Sequence, residues 1–314
     1  MKKLKLSKLD WKLLQLLDKN PQETVSSLAK KCITSKERIH YRIKRLEEHD
    51  VITGYWALMR IPAHASAYKL LIKDRSLGAK TKEFIQHIIQ MPQAGWIAHT
   101  QGAWDYIISI YGPDYEATTC IQEILTHYGT YFSEKMIIKA THATSINERY
   151  VHDNAYVTTH TDTFGSIHRQ YDELETHIIN KLAQNARSTY TEIAQGTDKS
   201  IETIRKKTKE LIEKKTFTDI KLRINHEALG LKYAHIMISL RKYDKKEALR
   251  MHAIQQKEVV FIMEHLGHYD LHLEVVYENS LEQLRNNITE LFGEAIQRFD
   301  VVEILKEHRI YLHL

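Results

Sequence analysis

A repeat with a spacing of 165 residues constrains the fold of this chain more than any other feature of its sequence. The segment TQGAWDYIISIY begins at Thr100 and HLGHYDLHLEVVY begins at His265, each with glycine, an aromatic residue and aspartate in the same order. The same offset relates further identical pairs: Tyr68 and Tyr233, Leu46 and Leu211, Ser35 and Ser200, and Leu9 and Leu174. A register kept over roughly a hundred residues indicates a tandem duplication.

Each copy begins with a pattern typical of three short helices. Leucines at helical spacing between residues 6 and 17 form an apolar stripe, and residues 174–182 repeat it. A short second helix follows, and Ser35 or Ser200 then provides an N-cap for a third helix. Three helices with a short turn before the last one are typical of the helix-turn-helix.

The remainder of each copy alternates strands and helices. The segments SAYKLLIK, AGWIAHT, WDYIISIY and EKMIIKAT predict strands, with helices after the first and third. This βαββαβ order predicts a ferredoxin-like layer of helices on an antiparallel sheet. The predicted chain is therefore α+β, with two tandem copies of a winged-helix/helix-turn-helix domain followed by a ferredoxin-like domain. The predicted boundaries are helix-turn-helix domains at 1–54 and 169–219, ferredoxin-like domains at 55–150 and 220–314, and a linker at 151–168.

The distribution of charge points to DNA as a partner. Residues 1–52 carry 13 Lys/Arg against 7 Asp/Glu, and residues 169–225 carry 12 against 9. The net charge of the chain is +5, so the remaining residues are net acidic. Positive charge confined to the two helix-turn-helix segments is expected of modules that contact a phosphate backbone.

The third helix of each copy supplies candidate DNA contacts on the face opposite its apolar residues. In the first copy Ile39, Ile43 and Leu46 face the core, so the opposite face is available to the major groove. We predict base contacts from Glu37, Arg38 and Tyr41 and phosphate contacts from Lys44 and Arg45. The full predicted set is Ser35, Glu37, Arg38, Tyr41, Lys44 and Arg45 in the first copy, and Thr203, Lys206 and Lys209 in the second. The alternatives are a merely solvated charged face and, for the second copy, a helix-turn-helix that binds only protein.

The segments LDWKLLQLL and SLAKKCITSKERIHYRIKRLEEHDVITGYWALM resemble the Lrp/AsnC family of transcription regulators, and the resemblance extends over both copies. It implies that the glycine-and-aspartate turn before the third strand helps to form a small-molecule pocket, for an effector such as an amino acid. The implied effector-binding residues are Gly102, Trp104 and Asp105 in the first copy, and Gly267, Tyr269 and Asp270 in the second. The alternative is that the aspartates only cap their own turns.

Two departures from the family are evident in the sequence. The family has glycine in the turn of the helix-turn-helix, where this chain has Ile33 and Asp198. Because isoleucine tolerates a left-handed backbone poorly, we expect a reshaped first turn. Members of the family dimerise, whereas the duplication could supply both halves in one chain. We therefore expect either a homo-oligomer or an intrachain pseudo-dimer, whose exit strands near 52–58 and 217–222 pair.

Other classes of function have less support in the sequence. Siroheme decarboxylases share this architecture, and the chain has 19 histidines, but the HCYER-like and WPYN-like signatures of those enzymes are absent. The trio His265, His268 and His272 has spacings that could suit a metal, but its members are expected on different strands. We predict no catalytic residue, cofactor or metal site. The lack of a long apolar run and the two unrelated cysteines favour a cytoplasmic protein without a membrane partner.

Overall fold

A computed structural model of the chain describes residues 4–59, 65–146, 149–151, 160–162 and 171–310. The chain forms two compact units. The first unit comprises residues 1–60, 147–161 and 170–232, and the second comprises residues 61–146, 162–169 and 233–314. Both helix-turn-helix segments therefore belong to one unit and both βαββαβ segments to the other. The predicted linker lies largely outside the described residues.

The α-helices and β-strands follow the predicted order in both copies. The elements of the first copy are α1 (Lys8–Lys19), α2 (Val25–Cys32), α3 (Lys36–Glu48), β1 (Ile52–Met59), β2 (Ala65–Asp74), α4 (Thr81–Gln90), β3 (Ala94–Gly102), β4 (Tyr106–Pro113), α5 (Asp114–Tyr128) and β5 (Phe132–Ile146). The short strand β6 (His160–Asp162) follows. Those of the second copy are α6 (Glu173–Gln184), α7 (Tyr190–Ala194), α8 (Ile201–Glu213), β7 (Phe217–Ile224), α9 (His226–Leu229), β8 (Lys232–Leu240), α10 (Lys246–Gln255), β9 (Val259–Leu266), β10 (Leu271–Tyr277), α11 (Glu282–Phe292) and β11 (Ile296–Ile310). The predicted α+β fold is confirmed.

The first unit has one hydrophobic core to which both helix-turn-helix segments contribute. Leu13, Ile39 and Leu46 of the first copy belong to the same buried cluster as Ile178 and Ile204 of the second. Strand β1 pairs antiparallel with β7 in a two-stranded sheet, so the predicted pairing of the exit strands occurs within the chain. Sharing a core lets two short three-helix segments bury more apolar surface than either could bury alone.

The second unit contains a closed ring of eight strands. The strands are hydrogen-bonded in the order β2-β4-β3-β11-β8-β10-β9-β5, and β2 also pairs with β5. Each copy supplies four consecutive strands, and the pairings β3–β11 and β5–β9 join the copies. Each copy also has a core beneath its own helices, whereas Leu71, Ile107, Ile138, Met237 and Val302 belong to a third cluster drawn from both copies. The face of the sheet opposite the helices therefore forms a common interior.

The offset between equivalent residues is not uniform, which corrects the ungapped register read from the sequence. The amide of Asp105 donates to the carbonyl of Ile72, and the amide of Asp270 donates to that of Ile238. Equivalent residues of β2 and β8 are therefore 166 positions apart, as Ile72 and Ile238 are. Equivalent residues of the two turns, such as Asp105 and Asp270, are 165 positions apart. A one-residue shift exchanges the two faces of a strand. The structural counterpart of Lys69 is therefore His235.

Among the described residues, none of the helices has both the length and the apolar character that crossing a bilayer requires.

Candidate functional site

Helix α3 presents a solvent-exposed face because its N-cap and its buried apolar side fix its orientation. The Ser35 hydroxyl accepts a hydrogen bond from the Arg38 amide at 3.2 Å and caps the first turn. Ile39, Ile43 and Leu46 are buried in the core of the first unit. Since these residues share one side of the helix, the side chains on the opposite side must point outward.

Most of the predicted DNA-contacting residues of α3 lie on that exposed face. Glu37, Arg38, Tyr41 and Lys44 are all exposed, and Tyr41 keeps 62% of its surface accessible. Lys44 lies 3.7 Å from Glu48 in a pair that is open to solvent, and such a pair contributes little to stability. Arg38 makes no ion pair within the described part of the chain. Its guanidinium is therefore available to an outside acceptor.

Arg45 lies in a different environment from the other predicted residues. Its guanidinium is 3.9 Å from the Asp10 carboxylate, which is buried and also bound by Arg42 at 3.1 Å. Asp10 belongs as well to a capping box with Ser7 at the start of α1. Arg42 was not singled out in the sequence, because its partner is 32 residues away and only the fold reveals the pair. These contacts tie α3 to α1 and fix its position in the first unit.

The second copy repeats the scaffold of this pair while changing the exposed surface. Lys207 contacts the buried Glu175 at 3.2 Å, at the positions equivalent to Arg42 and Asp10. Thr203, Lys206 and Lys209 are exposed, as predicted for the outer face of α8. Glu202 and Arg205 pair with each other on the same helix. The second outer face is thus less cationic and more self-paired than the first.

The turn before α3 is not reshaped as expected. Ile33 adopts φ 54° and ψ 55° at the end of α2, which is the left-handed conformation that most commonly ends a helix at glycine. In the second copy Gly196 takes the positive φ, at 85°, two residues before Asp198. Helix α7 is correspondingly shorter than α2. The expectation for the first turn is therefore wrong, and the left-handed residue of the second turn is Gly196.

The repeated glycines allow a strand of one copy to approach the other copy closely. Gly102 and Gly267 have φ values of 126° and 131°, which L side chains rarely adopt. A Cβ at Gly102 would overlap the carbonyl oxygen of Val301, and one at Gly267 would lie 3.0 Å from Ile138 Cγ2. The two glycines thus lie where the four-stranded halves of the ring meet.

The repeated aspartates bind backbone amides at the ends of neighbouring strands. Asp105 accepts from the Asp74 amide at 2.8 Å, and Asp270 accepts from the Leu240 amide at 2.6 Å. Lys73 Nζ also lies 2.8 Å from Asp105, whereas its counterpart Ser239 donates to the His268 carbonyl. The carboxylates have the same role in both copies, but only the first copy adds an accessible cation.

The repeated aromatic residues contact each other across the ring. Trp104 and Tyr269 are almost completely buried, and the indole Nε1 donates to the Tyr269 hydroxyl at 3.1 Å. That hydroxyl in turn donates to Asp300 at 2.5 Å. Desolvation, followed by the Asp300 contact, raises the pKa of Tyr269, so the hydroxyl remains a donor. The glycine and aromatic positions thus help to join the two copies, whereas each aspartate bonds to residues of its own copy.

Comparison with known proteins supports the assignment of the amino-terminal segment. A family model described as winged helix-turn-helix DNA-binding matches residues 6–53. Two relatives are uncharacterised HTH-type transcriptional regulators, from Pyrococcus horikoshii at 28% identity and Pyrococcus furiosus at 29%, each over 108 residues. Each match covers 33% of this chain and 72% of the relative.

Among solved structures, the siroheme decarboxylase NirDL aligns over nearly the whole chain. The match covers 97% of this chain and 94% of that one, with a TM-score of 0.63 and 12% sequence identity. This likeness shows a shared fold. The matched winged helix-turn-helix and the regulator relatives support the resemblance to Lrp/AsnC-type regulators noted in the sequence, and the two-domain unit is present twice in this chain.

Proposed function

We propose that this protein is a transcription regulator that binds duplex DNA chiefly through α3. The observation that carries the proposal is the exposed face formed by Glu37, Arg38 and Tyr41 on the third helix of a matched DNA-binding domain. An α-helix fits the major groove, where residues near its amino terminus reach base edges. The regulator relatives support the same class of function.

Each exposed residue of α3 has a role suited to its chemistry. Arg38 can donate two hydrogen bonds to one guanine, and Tyr41 can donate to a base or pack against a thymine methyl group. Lys44 is a point charge suited to a phosphate. Arg45 already shares Asp10 with Arg42, so its substitution would also affect the packing of α3 on α1.

The two copies form an intrachain pseudo-dimer in this proposal, with unequal DNA-binding helices. Pairing of β1 with β7 supports the pseudo-dimer. Inequality is supported by Thr203 at the position of Arg38, Lys206 at that of Tyr41 and Glu210 at that of Arg45. A target site with unequal halves follows, because each helix would offer different groups to the bases.

Binding to the promoter region of the protein's own gene, titrated at several salt concentrations, tests the proposal. We expect Arg38→Ala or Tyr41→Ala to lower discrimination between this region and random DNA by about 1–3 kcal/mol. Lys44→Ala should weaken both about equally and reduce the salt slope by roughly 1. The matched controls Thr203→Ala, Lys206→Ala and Lys209→Ala, at equivalent positions of α8, should have smaller effects. Unchanged binding by the triple variant of Arg38, Tyr41 and Arg45 would exclude α3 as the reader.

We also propose that a small metabolite, such as an amino acid, modulates this binding at the turn of the first copy. The support is the partly exposed pair of Lys73 and Asp105, whose opposite charges could receive the carboxylate and ammonium of a zwitterion. Repeating the titration with each of the twenty amino acids tests this. The responding ligand should lose its effect in Asp105→Ala and keep it in Asp270→Ala, because the second turn lacks the lysine.

An enzyme acting on a tetrapyrrole is the second candidate function. It is favoured by the fold shared with NirDL, which has also been solved in co-complex with an iron-uroporphyrin III analogue. At 11% to 12% identity that likeness concerns the fold alone. A Soret absorption band in the purified protein would favour this candidate over a regulator without enzymatic activity.

A further inference from the structure

Three histidines of the second copy lie on neighbouring strands of the ring and share its interior. His235 is on β8, His272 on β10 and His265 on β9, and none is more than 1% exposed. The ring centroids of His235 and His272 are 4.4 Å apart, and those of His265 and His272 are 5.7 Å apart. The three imidazoles therefore form one cluster, which we call the histidine cluster.

Most ring nitrogens of the histidine cluster have no hydrogen-bond partner within the described residues. Both nitrogens of His265, both of His272 and Nδ1 of His235 are buried and unpaired. Leaving one buried polar group unsatisfied costs about 1–3 kcal/mol, which exceeds the net gain from an ordinary hydrogen bond. Five such atoms at one place call for a partner that the described part of the chain does not supply.

Glu274 completes a set of ligands suited to a metal ion. His235, His272 and Glu274 can each offer one donor atom, and these atoms all lie within 4.8 Å of one another. The Tyr233 hydroxyl donates to Glu274 at 2.5 Å and lies 3.3 Å from Nε2 of His235. A hydrogen bond of this kind orients a ligand from outside the coordination sphere.

We propose that His235, His272 and Glu274 bind a divalent first-row transition metal ion of the Zn²⁺ class. Imidazole nitrogen and carboxylate oxygen are ligands that such ions accept. Donor atoms about 2.0–2.2 Å from a tetrahedral Zn²⁺ lie roughly 3.3–3.6 Å apart. Because the donor atoms here lie within 4.8 Å of one another, no pair would have to close by more than about 1.5 Å. Three protein ligands leave one position for water or an exogenous ligand.

The first copy cannot form the same site. Lys69, Ile107 and Ser109 occupy the positions equivalent to His235, His272 and Glu274, and none of them offers an imidazole or a carboxylate. The proposed site therefore belongs to the second copy alone. It also differs from the trio considered in the sequence, since His268 lies 3.1 Å from the guanidinium of Arg298 and is not in the cluster.

Cobalt and zinc binding to the full-length, untagged and chelator-treated protein tests the proposal. We expect stoichiometric Co²⁺ binding with ligand-field absorption bands, reversed by Zn²⁺. His272→Gln and Glu274→Gln should each weaken binding more than the roughly 10–100-fold that loss of an outer partner costs. Tyr233→Phe should weaken it by about 10–100-fold while leaving the ligands in place. Circular dichroism confirms that each variant is folded.

Two histidine variants serve as matched controls. His265→Gln removes an equally buried imidazole from the same cluster, and His127→Gln disrupts the surface pair with His87, whose rings are 5.3 Å apart. Both should bind Co²⁺ within a few-fold of the parent protein. The proposal is overturned if the parent protein binds neither Co²⁺ nor Zn²⁺. It is also overturned if His265→Gln weakens Co²⁺ binding as much as His272→Gln does, or if His127→Gln abolishes binding. Binding by Tyr233→Phe that equals binding by the parent protein would overturn it as well. A purified protein whose Soret-absorbing tetrapyrrole blocks Co²⁺ would overturn it in favour of that ligand. DNA binding is measured separately, so either proposal can fail alone.

Discussion

Ile33 shows how a single residue can depart from its preferred backbone when its neighbours fix the turn. The amide of Thr34 donates to the Ala29 carbonyl, and the amide of Ile33 donates to the Lys30 carbonyl, so the end of α2 is closed on both sides. This closure requires a left-handed residue, and a β-branched side chain there costs on the order of 1–3 kcal/mol. The side chain is 91% exposed and recovers little of that energy through packing.

We expect Ile33→Gly to raise the free energy of unfolding by about 1 kcal/mol. Relief of the left-handed strain should exceed the extra entropy that glycine gives to the unfolded chain. Urea denaturation measures the change. The matched control is Ile212→Gly, which makes the same substitution at a half-exposed residue inside α8 and should destabilise by about 1 kcal/mol. A destabilised Ile33→Gly variant would mean that this side chain has a packing role.

At the level of elements, the sequence predicted most of the helices and strands and the pairing of the exit strands, but not the way in which the two ferredoxin-like segments join into a ring. The stripe of Ile39, Ile43 and Leu46 repeats at helical spacing, so α3 could be predicted from local pattern alone. The residues that line the interior of the ring could not be predicted in this way, because the one-residue shift between β2 and β8 is hardly visible in the amino-acid sequence. Lys69 and His235 became equivalent only through hydrogen bonds to residues far along the chain. Apolar periodicity indicates which face of a strand is buried, but it does not indicate the strand with which it pairs.

The pairing of β1 with β7 predicts a specific disulfide within the chain. Ala57 lies opposite Ile220 in the antiparallel register, and opposed residues on such strands are close enough for a disulfide. With Cys32 and Cys120 replaced by serine, Ala57→Cys with Ile220→Cys should cross-link on oxidation, at a rate independent of protein concentration. Ala57→Cys with Lys221→Cys, displaced by one residue, should cross-link poorly. Non-reducing electrophoresis separates the products, and cross-links formed only between chains would show intermolecular pairing.

At the scale of the whole molecule, duplication has produced a closed ring whose two halves differ inside. The first copy contributes Lys69, which is buried and donates to Ser109 at 3.1 Å, and whose ammonium lies 5.0 Å from the centre of the Trp96 ring. Trp96 stacks on His235 of the second copy. A symmetric dimer would place the same residue at both equivalent positions. Tandem fusion removes that constraint, so one cation can face a cluster of imidazoles and one carboxylate.

Lys69 should give the stability of this protein an unusual dependence on alkaline pH. Burial lowers the pKa of its ammonium from 10.5 to about 8, and the opposing charge of Glu274 offsets only part of that shift. Burial lowers the pKa of His235, His265 and His272, and the Lys69 charge lowers each of them further. Below pH 8 both the folded and the unfolded chain keep the proton on Lys69, so its contribution is constant. Between pH 8 and 10.5 the unfolded chain binds more protons, and stability must therefore rise with pH.

Comparison with Lys69→Met isolates this contribution, because buried tyrosines and other groups titrate alike in both proteins. The slope is about 1.4 kcal/mol per pH unit. Between pH 7 and pH 10 the free energy of unfolding of the parent protein, relative to that of the variant, should therefore rise by roughly 2 kcal/mol. Methionine keeps the length of the side chain and removes its charge, so the variant should also be the more stable of the two at pH 7. Urea denaturation at pH 7, 8, 9 and 10 measures the difference. A difference that stays constant over this range would mean that the Lys69 ammonium is as well solvated in the folded chain as in the unfolded one.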